Sequence, residues 1–132
     1  TYRAANCLWK NDRHTMALFF QNRASEVFGI DIHPAANIAG GVMMDHATGI
    51  VIGETSKIES EVSIFQGVTL GGTGNETGKR HPDVKKGATI YASSTILGNI
   101  EIGEGATVAA GSLVLKSVKA GITVAGIPAK EL

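Results

Sequence analysis

Two histidines stand in the two stretches of this chain that break its regular pattern. His46 lies in MMDHATGIVIGE, residues 43–54, directly after Asp45. His81 lies in GGTGNETGKRHPD, residues 71–83, directly after Arg80. A neutral imidazole exchanges a proton near working pH, which suits it to general-base work. Broken periodicity marks functional sites more often than intact ladders do, so His46 is the candidate base. Such a base needs its second nitrogen held, so that the free one faces the reacting group, and a carboxylate fills that role. Asp31 fits, fifteen residues before His46.

The elements that must position these residues follow from two periods. Residues 1–28 read as helix, because Met16, Phe19, Phe20, Ala24, Val27 and Phe28 recur at nearly 3.6 residues. Asp12 or Thr15 is the expected N-cap, and Gly29 the left-handed residue after the end. A shorter helix through Leu8 and Trp9 precedes it, with a bend over Lys10 to His14. From Ile32 the period becomes six: Ile32, Ile38 and Met44, then Ile52, Ile58, Ile64 and Leu70, then Val84, Ile90, Ile96, Ile102, Val108 and Val114. Small or β-branched residues follow four places later, as at Ala36, Val62, Val68, Ala88, Ser94 and Ser112.

A six-residue period fits a short strand plus a turn. Three units make one triangular coil of eighteen residues. The aliphatics point inward and stack, and backbone groups pair between coils about 4.8 Å apart. Counting hexads predicts a little over four coils. The ladder residues are scaffold, so function belongs to the two interruptions. The first is a slip of two residues at DHATGIVIG. The second makes the step from Leu70 to Val84 fourteen residues, where six would do; it is rich in Gly and polar residues, so packing is not its task. With eighteen residues to a coil, Asp31 falls three short of one turn before His46, on a neighbouring coil near one edge.

Composition narrows the function classes. Twelve basic residues balance twelve acidic ones, which gives no reason to expect nucleic acid or an anionic membrane as partner. Aromatics make up 5% while Gly reaches 17 residues, suited to many tight turns around an aliphatic core. The lone Cys7 cannot form an intrachain disulfide, which points to a reducing, cytoplasmic setting. No apolar run approaches membrane-spanning length. The abrupt ends, TYRAANCLW and AKEL, read as those of a fragment.

The segments FGIDIHPAANI, MMDHATGIVIGE, VTLGGTG, KRHP and ILGNIEIGEGATVAAGSLV together resemble the serine acetyltransferase family, over nearly the whole chain. The resemblance implies a mainly β fold: a left-handed parallel β-helix of hexapeptide repeats preceded by a short α-helical segment. Residues 1–29 would be the end of an N-terminal helical domain and 30–132 the catalytic β-helix. It implies transfer of acetyl from acetyl-CoA to the hydroxyl of L-serine, with no metal. His46 and Asp31 are then the catalytic pair. Asp45 contacts the serine amine. Arg80 holds the serine carboxylate, which a guanidinium does with two parallel bonds, and His81 contacts the substrate. Gly72, in GGTG, lets the CoA backbone approach closely. Ala92 and Ala110 line the pantetheine path, and Lys130 meets a phosphate.

The family resemblance further implies a homotrimer with CoA in the groove between prisms, or two such trimers when the helical domain is complete. It implies L-cysteine as feedback inhibitor, and docking to O-acetylserine sulfhydrylase through a C-terminal tail beyond this chain. Two other readings compete. A sugar or other acceptor would not need an Asp and an Arg to read an amino acid's two charges. A zinc lyase of the γ-carbonic anhydrase kind would use His33, His46 and His81, but a cation such as Arg80 beside the metal is unfavourable. Cys7, Trp9, His14 and His33 are read as packing, bend or corner residues.

Overall fold

The computed structural model describes residues 1–74 and 77–132. Two helices open the chain, α1 (Tyr2–Lys10) and α2 (His14–Phe28). Gly29 ends α2 in the left-handed region at φ 65°, its N–H bonded to the Ser25 carbonyl at 2.9 Å. The start of α2 departs from expectation. Arg13 is the N-cap, with no side-chain hydrogen bond. Asp12 is committed instead to the turn between the helices, at φ 57° with its N–H on the Trp9 carbonyl.

From Asp31 the chain winds in short strands. The first coil holds β1 (Asp31–Ile32), β2 (Asn37–Ile38) and β3 (Met43–Asp45). The second holds β4 (Val51–Ile52), β5 (Lys57–Ile58) and β6 (Ser63–Phe65), and the third β7 (Thr69–Gly71), β8 (Asp83–Val84) and β9 (Thr89–Ile90). The fourth holds β10 (Thr95–Leu97), β11 (Glu101–Ile102) and β12 (Thr107–Val108). Then come β13 (Leu113–Val114), β14 (Thr123–Ala125) and β15 (Lys130–Glu131). Equivalent strands stack in parallel into three faces: β1-β4-β7-β10-β13, then β2-β5-β8-β11, then β3-β6-β9-β12-β14. β15 folds back antiparallel on β14 and closes the third face. This is the expected left-handed parallel β-helix.

The inward column of the first face, Ile32, Ile52, Leu70, Ile96 and Val114, is buried throughout. Each such side chain contributes about 1.5–3 kcal/mol on burial. The coil count exceeds expectation: the solenoid makes about five turns. Val118, bridged to Ile102, and Val124, paired with Val108, complete the last one. They escape the hexad count because that coil is shortened, with Val108 and Val124 sixteen residues apart. The two interruptions lengthen theirs. Asp31 pairs with Val51, twenty residues on, and Thr69 with Thr95, twenty-six on. The open first rung is covered by α1. Tyr2 and Arg3 donate to the carbonyls of Ala36 and Ile38, and Asn6 to that of Pro34 at 2.8 Å, so the edge that would template further pairing is occupied.

Candidate active site

Where the chain passes from the third face to the first, each coil turns on one left-handed residue: Gly29, Gly49, Gly67, Ser93 and Gly111. The second coil adds two more, His46 at φ 57° and Ala47 at φ 65°. Each left-handed non-glycine residue costs roughly 1–2 kcal/mol. The two extra residues of the slip are therefore absorbed here, as a strained bulge that lifts His46 off the wall. Its imidazole is 71% exposed. Asp45 accepts the His46 N–H on Oδ1 at 3.0 Å, and its Oδ2 stands 3.9 Å from His46 Nε2.

Asp31 begins β1 at this same edge of the first face. Its Oδ1 accepts a 2.6 Å hydrogen bond from Gln21 Nε2 of α2. Among the described residues no hydrogen bond or ion pair joins Asp31 to His46; within one chain the carboxylate beside the exposed imidazole is that of Asp45.

The second interruption leaves after β7 and returns across the far edge of the first face. Of it, Asn75 and Glu76 lie outside the described residues. The returning segment seats the His81 imidazole on Gly53. A Cβ at residue 53 would lie 2.0 Å from His81 Cδ2 and 2.2 Å from Nε2, so only glycine leaves room for the ring. Thr55 anchors it. Its hydroxyl accepts the N–H groups of Arg80 and His81, each at 3.0 Å. The His81 Nδ1 accepts the Thr55 N–H at 3.2 Å and lies 2.9 Å from the Thr55 hydroxyl. Lys79 Nζ donates to the Thr55 carbonyl at 2.8 Å and to that of His81, and pairs with Asp83 at 2.6 Å.

An Nδ1 that accepts leaves the ring proton on Nε2, so His81 is a neutral donor. Burial, then the Arg80 and Lys79 charges, push its pKa below the ordinary value. Arg80 reaches Glu54 Oε2 at 2.6 Å, and this hydrogen bond holds the Glu54 carboxyl below the usual carboxylate range. Gly72 packs over the inside of the loop, its Cβ position 3.3 Å from the Arg80 carbonyl and 3.5 Å from His81 Nε2.

The predicted residues thus fall into two groups. Asp31, Asp45 and His46 stand at the edge where the chain enters the first face. Gly72, Arg80 and His81 stand at the edge where it leaves. Of the three histidines, His33 and His81 share one edge and His46 stands at the other, so the three do not converge within one chain. Ala92 and Ala110 occupy the turn positions held by Thr48 and Gln66 in earlier coils, as the Gly111 N–H on the Ala92 carbonyl at 2.9 Å reflects. They therefore lie on the His46 edge. Lys130, exposed in β15, pairs with Ala125 where the third face approaches that edge. Sequence reasoning missed Gly53, Glu54 and Thr55. They sit 24 or more residues before their partners, and no local pattern flags them.

The stacked parallel coils, broken by two interruptions at the prism edges, define a hexapeptide-repeat β-helix. No family model matches the chain. It is 55% identical over 130 residues to the serine acetyltransferase of Haemophilus influenzae, covering 98% of this chain and 49% of that protein. It is 63% identical over 129 residues to serine acetyltransferase 4 of Arabidopsis thaliana, covering 98% and 36%. Among solved structures, a serine acetyltransferase in complex with cysteine superposes with a TM-score of 0.97 at 55% identity, covering 99% of this chain and 51% of that one. One in complex with CoA gives 0.94 at 53%, covering 99% and 54%. The Neisseria gonorrhoeae enzyme in complex with serine gives 0.95 at 52%, covering 98% and 53%. Over nearly its whole length the chain is similar to serine acetyltransferases. It spans about half the length, or less, of the curated relatives it matches.

Proposed function

We propose that this chain carries the catalytic β-helix, residues 30–132, of a serine O-acetyltransferase, and that residues 1–29 end a helical domain. The observation that carries the reading is the return loop, which holds Arg80 and a neutral His81 against Thr55 and Gly53. Similarity to proteins solved with serine, CoA and cysteine supplies the ligand classes. L-Serine binds with its carboxylate on Arg80 and His81 and its amine toward Asp45. His46 takes the proton from the serine hydroxyl as the oxygen attacks the acetyl carbonyl carbon. The oxyanion collapses, the carbon–sulfur bond breaks, and the CoA thiolate takes the proton from the imidazolium. Transfer is direct, with no acyl-enzyme. Asp31, at the same edge, is the carboxylate that orients His46.

One prism holds His46 at one edge and Arg80 at the other. A complete site therefore lies in the groove between neighbouring prisms, which supports a homotrimer, paired into a hexamer where the helical domain is whole. CoA follows the His46 edge past Ala92 and Ala110, whose small side chains leave a shallow wall, toward Lys130. L-Cysteine competes with serine for the same charges. Docking of O-acetylserine sulfhydrylase belongs to a tail beyond residue 132. The setting is cytoplasmic, in cysteine biosynthesis; among the described residues no helix is long and apolar enough to cross a membrane.

Thiol release from acetyl-CoA, with serine and then a panel of sugars as acceptor, tests the reading. Release is expected with serine alone. His46→Ala is expected to lose about 10²–10⁴-fold in kcat while retaining CoA binding. Full turnover in that variant removes His46 as the base.

A further inference from the structure

Arg80 and His81 have a neighbour on their edge in His33, which follows the inward Ile32 at a corner of the first coil. His33 is in register with Gly53 one rung away, since Ile32 pairs with Ile52 and the His33 N–H bonds the Ile52 carbonyl at 3.0 Å. Neighbouring rungs are about 4.8 Å apart. The His33 Nδ1 accepts the Ala35 N–H at 3.1 Å, just as the His81 Nδ1 accepts the Thr55 N–H at 3.2 Å. Ala35 and Thr55 are equivalent residues of successive coils. Gly53 thus vacates the place that the His33 side chain fills one coil earlier. The loop brings His81 into that place, on the equivalent corner amide. Two imidazoles repeat one above the other, each with Nδ1 accepting and its proton on Nε2.

The surroundings are shared as well. Glu54, Asp31 and Arg80 act on His33, and the Trp9 and His33 rings meet T-shaped with centroids 5.0 Å apart. Arg80, Lys79, Glu54 and His33 act on His81. Burial is the first cause that pushes each ring below its ordinary pKa, which keeps both neutral at working pH. Arg80 meanwhile already donates to Glu54 and to the Gly78 carbonyl at 3.2 Å. Its charge is partly compensated and two of its N–H groups are committed, whereas a carboxylate offers about four lone-pair sites.

We propose that His33 is a specificity-determining residue of the acceptor site: its Nε2–H binds the substrate carboxylate together with the Nε2–H of His81 and the Arg80 guanidinium. The proposal rests on the amino-acid acceptor reading above. Neutral donors add binding without a further buried charge to desolvate, and they select against alcohols that carry no carboxylate.

The test compares the wild-type chain with His33→Asn and His33→Gln. An Asn side chain can still accept the Ala35 N–H but has no donor at the Nε2 position; Gln reaches that position with an N–H. His33→Asn is expected to raise the serine KM tenfold or more, leaving the acetyl-CoA KM and the melting temperature unchanged. His33→Gln is expected to recover most of the loss. In ¹⁵N-histidine spectra of the wild type, His33 should carry its proton on Nε2, and serine should shift that signal. A serine KM in His33→Asn equal to wild type, or a rise in the acetyl-CoA KM instead, overturns the proposal. A wild type that turns over no serine sinks the amino-acid reading itself, whereas serine turnover with an indifferent His33→Asn sinks only the role of His33.

Discussion

At the scale of single residues, the Thr55 hydroxyl is the pin of the return loop. It accepts two backbone N–H groups and lies against the ring of His81. Each such hydrogen bond contributes about 0.5–1.5 kcal/mol net. Thr55→Val keeps the shape and removes all of them, so the serine KM should rise by about tenfold or more, equivalent to about 1.4 kcal/mol per factor of ten. Thr55→Ser should restore it; a Val variant with wild-type serine kinetics would show that the loop holds without the hydroxyl. The same residue predicts a pH effect. His81 has a folded pKa below its ordinary value, chiefly through burial. The unfolded chain therefore binds the proton first as pH falls. The stabilisation of the neutral ring is fully present above the ordinary value of 6.5 and is lost as pH drops through the lowered folded value. Protonation also removes the Nδ1 acceptor that Thr55 N–H requires. Serine KM measured against pH should climb on that acid limb, and a flat profile there would place His81 outside the binding site.

At the scale of elements, the first face works as a seat. β4 ends at Ile52, and Gly53 follows as a gap in the outer wall into which the return loop drops a ring. A Gly53→Ala methyl would stand 2.0 Å from that ring, a distance no rotamer adjustment of the methyl can relieve. The ring must leave its place, while the inward columns that hold the coil remain as they are. Serine affinity should fall by an order of magnitude or more with CoA affinity kept, checked by calorimetric titration of each ligand. Unchanged serine binding would mean that the loop does not use this seat. The opposite edge shows the complementary device. Two extra residues become a left-handed bulge at His46 and Ala47 rather than a disturbance of the ladder, because the corner glycines Gly29, Gly49 and Gly67 already stack there.

At the scale of the whole molecule, the separation of His46 from Arg80 across one face makes assembly part of catalysis in the function proposed above. Mixed oligomers of His46→Ala and Arg80→Ala chains are expected to regain activity that neither homogeneous protein has. An intact His46 edge then meets an intact Arg80 edge in roughly a quarter of the grooves of a one-to-one mixture of cyclic oligomers. Refolding the two inactive variants together and measuring serine-dependent thiol release checks this. No recovery would mean that each site is built within one chain.

The fold was legible in the residues because a solenoid is quasi-one-dimensional: each inward Ile, Leu or Val meets its equivalent one coil away, so a local period carries the architecture. The two breaks in that period marked His46 and His81 for the same reason, since residues that do not serve the ladder stand out against it. The family likeness came from those breaks and the ladder together. Tertiary structure decided the rest. The ring of His81 lies on Gly53, the loop hangs on Thr55, and Arg80 turns to Glu54, all across some twenty-five positions of chain. It also made His33 the twin of His81 and left Asp31 bonded to Gln21. Such contacts depend on how a loop returns across a surface, and return paths are set by the packing of the completed prism, which no periodicity within the loop encodes.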